Sequence, residues 1–435
     1  MRPTPSSRAR PRSGPWLTPP AGTRDLLPQE AAERRALSRA VFAAFERHGY
    51  TLVHTPPFER IDVLERAGNV RAEDVLQFVD ADGGDVAMFR PDITPQIARL
   101  VATRLRDWPA PYRLAYEGHV IRRPRGRARR QRQIPQAGIE LIGLPGPEAD
   151  AEVIEIAARA LRDVGLETFV LELALVPILR GLIDRAPEEG RDELTQALGR
   201  KDRPALRELT RPLGAAGAQL VELAQLYGGI EVLAEARRVL GREASALGPL
   251  EALAKAAAAR GLGPFLRVDL GEVRGFGYYT GPSFAALAEG PGEPIGGGGR
   301  YDELLGRFGR DLPGAGFALD LDHLAWALRE RSRARGALHG IDLVVRAEEG
   351  VRLAATLRDA GLRVAELPSE AGHEAPAVWA RAWSVPWLLE TGTFGHRLVE
   401  VASERVVISG RTVPRDLAAR VQRCLEAQKE RTRWE

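Results

Sequence analysis

The stretch FRPDITPQIARL at residues 89–100 sets a carboxylate, Asp92, two residues before Thr94 and directly after an Arg-Pro pair. The short apolar run before Pro91 suits a strand terminus. Thr94 can act as N-cap with Pro95 in the first helical position. Ile97, Leu100, Val101 and Leu105 then recur at helical spacing, as one buried stripe would. Asp92 therefore occupies a strand-to-helix corner, and on this segment alone a turn aspartate is the simpler reading. A second group lies in QIPQAGIELIG, where Gln136, Gly138, Glu140 and Ile142 share one face of a strand and Ala137, Ile139 and Leu141 the other. Two long polar side chains on one face of an apolar strand describe a pocket wall or a solvated face, and periodicity does not separate the two.

The elements that must position these groups can be read along the chain. AGTRDLLPQEAAERRALSRAVFAAFERHGY has the pattern of a capped amphipathic helix of roughly twenty residues. TLVHTPPFE resembles a strand broken by two prolines, and residues 108–143 a β-hairpin closed by an Arg-rich loop. Residues 147–163 and roughly 177–262 are helical in pattern, the second long enough for an inserted helical subdomain. The strand pattern returns in FLRVDLGEVRGFGYYTGPSFAAL, before the Gly/Pro-rich EGPGEPIGGGG and the αβ-like GAGFALDLDHLAWALRERSR. A linker at 331–340 then leads to a small α/β domain at 341–435.

Bulk properties narrow the class. The chain has 435 residues, 44% hydrophobic and 28% charged, enough for two or three soluble domains. No run reaches the roughly 18 apolar residues of a membrane span. Residues 1–20 carry four Arg, no acid and many Pro, which predicts a disordered basic tail. Without that tail the net charge falls from +3 to about −1, so charge makes no general case for nucleic acid. A single cysteine, Cys424, fits a reducing cytoplasm, and the absence of a Cys/His cluster predicts no metal site. Lysine is used only at 201, 255 and 429, so arginine richness by itself carries little information here. His54, His119 and His373 read as packing or surface residues.

AGTRDLLP, TPPFE, RPDIT, the hairpin with Gln136 and Glu140, VRGFGYYTG, GGGGRYDELL and GAGFALDLDHL occur in this order. Together they resemble the catalytic core of the histidyl-tRNA synthetase family over about residues 21–330. The resemblance implies an α+β fold: a class II synthetase-like antiparallel sheet flanked by helices, with a helical insertion and a small C-terminal α/β domain. The residue matching Asp92 is a glutamate in that family and holds the α-amino group of bound histidine, assisted by Thr94 and Gln136. Glu140 and Tyr279 face the imidazole. Arg122 lies by the carboxylate and the reacting phosphate, Arg274 is the second catalytic arginine, and Tyr278 completes the ligand set. These pairings are chemically sound: an ammonium needs acceptors, a carboxylate a guanidinium, and a tautomeric ring an acceptor and a hydroxyl.

The departures from the synthetase pattern concern ATP. A glutamate two residues after the arginine matching Arg122 engages ATP in the synthetases, and Pro124 stands there. Their closing Gly-Leu-Glu-Arg is Asp320-Leu321-Asp322-His323 here, which exchanges a permanent cation for an imidazole and adds acid. Their Arg-Gly-Leu-Asp-Tyr-Tyr is Arg274-Gly275-Phe276-Gly277-Tyr278-Tyr279, one carboxylate fewer. An amino-acid pocket beside an altered ATP site resembles the regulatory-subunit family of ATP phosphoribosyltransferase, as do RPDIT, GRKDRPAL at 199–206 and LYGG at 226–229. That resemblance implies a non-catalytic chain without cofactor. It would serve histidine biosynthesis with histidine as effector, a short-form catalytic subunit as partner and a homodimer core. The alternatives are a divergent histidyl-tRNA synthetase and, ranked last, an RNA-binding module built on RRPRGRARRQR at 122–132, whose loop lacks aromatic residues for stacking.

Overall fold

The computed structural model describes residues 17–68, 75–81, 83–123, 131–273, 279–331, 340–346, 350–367, 376–393 and 395–432. Most of the expected tail and linker, the Arg-rich loop from Pro124 to Arg130, and Arg274 to Tyr278 lie outside them. The chain divides into two compact units, one of residues 1–25 and 37–330 and one of 26–36 and 331–435.

The first unit takes in helix α1 (Pro28–Arg47) from Leu37 onward, where Leu37, Val41, Ala44 and Phe45 enter its core. TLVHTPPFE becomes two strands, β1 (Thr51–Val53) and β2 (Phe58–Arg60), which belong to different sheets. The two prolines between them remove the N–H donors that a continuous strand would need. After α2 (Ile61–Ala67) come β3 (Gln77–Val79), β4 (Val86–Phe89) and α3 (Thr94–Thr103). The hairpin is β5 (Tyr112–Ile121) with β6 (Gln133–Ile142), followed by α4 (Pro147–Asp163) and β7 (Val170–Leu175). The insertion contains α5 (Val176–Ile183), α6 (Glu188–Gly199), α7 (Arg203–Thr210), α8 (Ala215–Leu223), the two-residue strand β8 (Tyr227–Gly228), α9 (Val232–Leu240) and α10 (Gly248–Ala259). The chain returns through β9 (Leu266–Asp269), β10 (Pro282–Leu287), β11 (Gly296–Arg300), β12 (Gly314–Asp320) and α11 (Leu321–Arg331).

Nine of these strands form one sheet in the order β1-β5-β6-β12-β11-β10-β7-β9-β8, and β2-β4-β3 form a second. The run from β5 to β7 is antiparallel throughout; only β1–β5 and β7–β9 are parallel. The fold is therefore the α+β, antiparallel, class II-like arrangement expected. GGGG is not a loop: it is β11, between β10 and β12. Its glycines are required by close approach, since a Cβ on Gly298 would collide with the Gly316 carbonyl oxygen.

The second unit holds a five-stranded sheet in the order β14-β13-β15-β16-β17. These are β13 (Leu343–Arg346), β14 (Val364–Leu367), β15 (Trp387–Gly392), β16 (Gly395–Glu400) and β17 (Val406–Gly410). Helix α12 (Gly350–Asp359) joins the parallel pair β13 and β14, as a crossover must. Helix α13 (Pro376–Ala382) precedes β15, and α14 (Leu417–Thr432) packs Leu417 and Val421 with Leu343, Trp387 and Leu398. No described helix is long and apolar enough to cross a membrane.

Candidate functional site

The Arg-Pro before Asp92 is a structural device. Arg90 is buried and donates from Nε to the His119 carbonyl at 2.8 Å. Its Nη1 donates to the Thr55 carbonyl at 2.9 Å and the Pro56 carbonyl at 3.0 Å. One guanidinium thus ties TPPFE and β5 to the start of α3, while burial lowers its affinity for its proton. Gln96 and Arg99 of α3 donate to the buried Glu59 at 3.3 and 2.8 Å. This is why TPPFE and RPDIT occur together.

At the corner itself, Asp92 Oδ1 accepts the Thr94 N–H at 3.2 Å. Thr94 is the first helical residue, with Ile93 before it, so the expected N-cap role of Thr94 is corrected. Its hydroxyl instead donates to Glu140 Oε1 at 2.6 Å. The Tyr301 hydroxyl donates to Glu140 Oε2. Glu140 is 1% exposed, beside a cavity of about 560 Å³ that Thr94 and Tyr301 line. Burial pushes its carboxyl up to about 8, against the hydrogen bonds from Thr94, Tyr301 and Tyr116, and the neighbouring charge of Asp92 adds to the rise. Burial also raises the Tyr116 phenol well above its ordinary value.

The cavity brings together Asp92, Thr94, Arg122, Gln136 and Tyr279 of the expected residues; Glu140 does not line it but is hydrogen-bonded to Thr94 and Tyr301, which do. Arg122 is fixed by donating from Nε to the Pro91 carbonyl at 2.7 Å, and Tyr279 by its carbonyl, which accepts from Arg180 at 3.3 Å. Arg274 and Tyr278 fall outside the described residues. Gly296, Gly297 and Gly298 line one side, where side chains would fill the space. A Cβ on Gly316 would collide with Glu140 Oε2. Among the described residues, five carboxylates line the cavity (Asp92, Glu172, Glu272, Glu293 and Asp320) against one guanidinium, Arg122. Carboxylates in such a wall offer acceptors to an ammonium.

His323 does not line the cavity. Its side chain is 11% exposed, with Nδ1 donating to the Pro294 carbonyl at 3.1 Å and lying 3.5 Å from Asp320 Oδ2. Asp320 Oδ1 accepts the N–H groups of Asp322 at 3.0 Å and His323 at 3.1 Å, so it caps α11 while facing the cavity. Asp322 is paired with Arg24 of AGTRDLLP at 3.0 Å. Glu172, Asp269 and Glu272 have carboxylate oxygens within 4.8 Å of one another, and the Lys201 ammonium, 2.5 Å from Asp269, supplies a countercharge.

Sequence reasoning missed Tyr116 and Tyr301. Tyr301 sits within GGGGRYD, where Arg300 is occupied by Asp150 and Asp302 at 2.6 and 2.8 Å. Tyr116 lies opposite Gly138 across the hairpin, and an aromatic facing a glycine is a pattern that could have drawn attention to it.

The family model described as Histidyl-tRNA synthetase matches residues 22–324. An ATP phosphoribosyltransferase regulatory subunit of Anaeromyxobacter sp. (strain Fw109-5) is 46% identical over 328 residues, 73% of this chain and 95% of that relative. One from Symbiobacterium thermophilum is 39% identical over 386 residues, 86% of this chain and 96% of the relative. A crystal structure described as an ATP phosphoribosyltransferase regulatory subunit/histidyl-tRNA synthetase from Bacillus halodurans superposes with a TM-score of 0.74 at 28% identity. It covers 86% of this chain and 98% of the other.

Proposed function

This chain belongs to the ATP phosphoribosyltransferase regulatory subunit family, built on the histidyl-tRNA synthetase fold, and from that premise we propose that it is a non-catalytic histidine sensor. It acts in the first step of histidine biosynthesis, in the cytoplasm, as the partner of a short catalytic ATP phosphoribosyltransferase. Asp92, with Thr94 and Gln136, holds the ammonium of histidine. Glu140 and Tyr279 meet the ring, and Arg122 holds the carboxylate, with Arg274 and Tyr278 assigned by resemblance. The observation that carries this reading is the convergence of Asp92, Thr94, Gln136, Arg122 and Tyr279 on one cavity, with His323 outside its lining where a synthetase sets an arginine for triphosphate.

A homodimer core accompanies this function. Support comes from an apolar surface: Phe58, Val79, Val86 and Phe89 of the three-stranded sheet are 39–67% exposed, and Leu52 on the edge strand β1 is 45% exposed. The rings of Phe58, Phe78 and Phe89 form a row with centroids about 5.5 Å apart. An exposed apolar sheet of this kind marks an interaction surface.

Reconstitution tests the proposal. The chain alone should be inactive, should raise ATP phosphoribosyl transfer when mixed with the short catalytic subunit, and should make that activity histidine-sensitive. A catalytic subunit that is fully active and histidine-sensitive by itself overturns the reading. Histidine-dependent ATP–pyrophosphate exchange by this chain would restore the synthetase.

A further inference from the structure

A second cavity lies in the helical insertion, away from the histidine pocket. It is an open groove of about 750 Å³ beside α7, α8 and α9. One wall carries Arg203, Arg207 and Arg211, four residues apart along α7 and the 3-10 turn that follows it. Ala218, Val221, Leu226 and Val239 supply an apolar surface. The groove also lies between two sequence motifs left without a role so far, GRKDRPAL and LYGG, which contribute Arg203 and Leu226.

The charges do not cancel. Among the described residues no carboxylate lies within ion-pair distance of Arg203, Arg207 or Arg211, whereas Arg185, Arg191, Arg237, Arg238 and Arg260 of the insertion are paired. Two acids line the groove, Glu222 and Glu235, and Glu235 is paired with Arg238. Arginine frequency is uninformative in this chain, but three unpaired guanidiniums converging on one cavity are a different observation. Successive arginines at this spacing are separated by about 6 Å along the helix axis, within reach of neighbouring phosphate groups on one small molecule. Guanidinium forks match phosphate oxygens in geometry and charge.

We propose that this groove binds a phosphate-bearing small molecule, its phosphates on Arg203, Arg207 and Arg211 and its remaining body on the apolar surface. The volume falls in the usual range for small-molecule sites, roughly 300–1,000 Å³. No aromatic side chain lines the groove, so it lacks the stacking platform that a nucleic-acid strand would use.

The test is equilibrium binding to the full-length protein at about 0.1 M salt, near the ionic strength at which surface charges are screened beyond ~10 Å. The probes are pyrophosphate, ATP and ribose 5-phosphate, which separate a polyphosphate, a nucleotide and a sugar phosphate as the source. Saturable binding of at least one probe is expected, weakened about tenfold or more in the Arg203→Ala/Arg207→Ala double variant. Asp92→Ala, whose side chain lines the histidine pocket and not this groove, should leave the phosphate affinity unchanged. The arginines are exposed, so the double variant should keep its far-ultraviolet dichroism and melting temperature, which verifies that lost binding is local. No saturable binding of any probe overturns the proposal, as does equal affinity in the double variant. Loss caused by Asp92→Ala, or binding confined to a single-stranded RNA oligomer, overturns it too.

Discussion

The Thr94 hydroxyl donates to Glu140 at 2.6 Å, joining the first residue of α3 to the C-terminal part of the hairpin strand β6. This bond couples the corner that carries Asp92 to the buried Glu140 beside the pocket. It also holds a carboxyl that burial keeps protonated near neutral pH, since its value is raised to about 8.

Histidine binding should therefore release a proton. The empty pocket holds Glu140 protonated below about 8, whereas a ring N–H or ammonium favours the carboxylate. Affinity should rise between about pH 7 and 8, by up to tenfold per unit, the limit set by one proton. Calorimetry in buffers of different ionisation enthalpy reads the proton directly. A pH-independent affinity with no proton release would remove Glu140 from the binding event.

The same group sets a stability trend in the ligand-free protein. Between the ordinary carboxyl value of 4.5 and about 8, the folded chain keeps a proton that the unfolded chain gives up. Stability should fall as pH rises through that window, with a slope of up to about 1.4 kcal/mol per unit. Glu140→Gln should flatten the slope. Urea titrations at pH 6 and pH 8 on both proteins test the sign, and a stability that rises with pH for this reason alone would contradict it.

Asp92 has two roles that substitution can separate. Asp92→Ala should weaken histidine binding by about 1.5–3 kcal/mol, the scale of a lost charge-assisted hydrogen bond. Asp92→Asn keeps an acceptor for the Thr94 N–H, so it should lose affinity while retaining the stability of α3. Equal loss of stability in both variants, with affinity intact, would leave Asp92 as a corner residue only.

The protein should form no histidyl-adenylate. Asp320 faces the cavity and His323 donates to the Pro294 carbonyl, so neither supplies a cation for triphosphate. Histidine-dependent ATP–pyrophosphate exchange should stay at the level of a no-enzyme control.

Sedimentation should show a dimer, and Phe58→Glu combined with Phe89→Glu should shift it to monomer. Each residue is 40–45% exposed in the chain alone, so the substitutions leave its core intact. A wild-type chain that is monomeric at tens of micromolar, where a dimer of ordinary affinity is populated, would exclude this surface.

How much of this was legible beforehand depends on which force sets each element. Helices with a strong apolar stripe, such as α3 and α4, follow from 3.6-residue periodicity, and the hairpin from its two alternating runs. The Gln136–Glu140 face was visible as polar residues on an apolar strand, yet its choice between solvent and pocket depends on Thr94 and Tyr301, which come from distant segments to hydrogen-bond Glu140. The strand β7 was not legible: an apolar run broken only by Glu172 reads alike in a sheet or a helix. GGGG was not legible as a strand either, since glycine weakens strands in general. Here the proximity of β10 and β12 leaves no room for anything larger. The Thr94 cap failed because Thr94 is itself the first helical residue, with its N–H taken by the Asp92 carboxylate. The inward turn of His323 depends on a carbonyl 29 residues away, which no local pattern reveals.

The bridge from Lys201 to Asp269 makes the insertion an integral part of the sheet. Lys201 belongs to the insertion and Asp269 ends β9, while the Leu270 N–H donates to the Leu226 carbonyl at 3.1 Å and Gly271 abuts Ala224. A chain trimmed of residues 177–262 would not be a smaller version of the same protein. It would leave Asp269 beside Glu172 and Glu272 with its latch gone, three acids whose oxygens lie within 4.8 Å of one another. Any shortened form made for crystallography or engineering should therefore neutralise Asp269 at the same time.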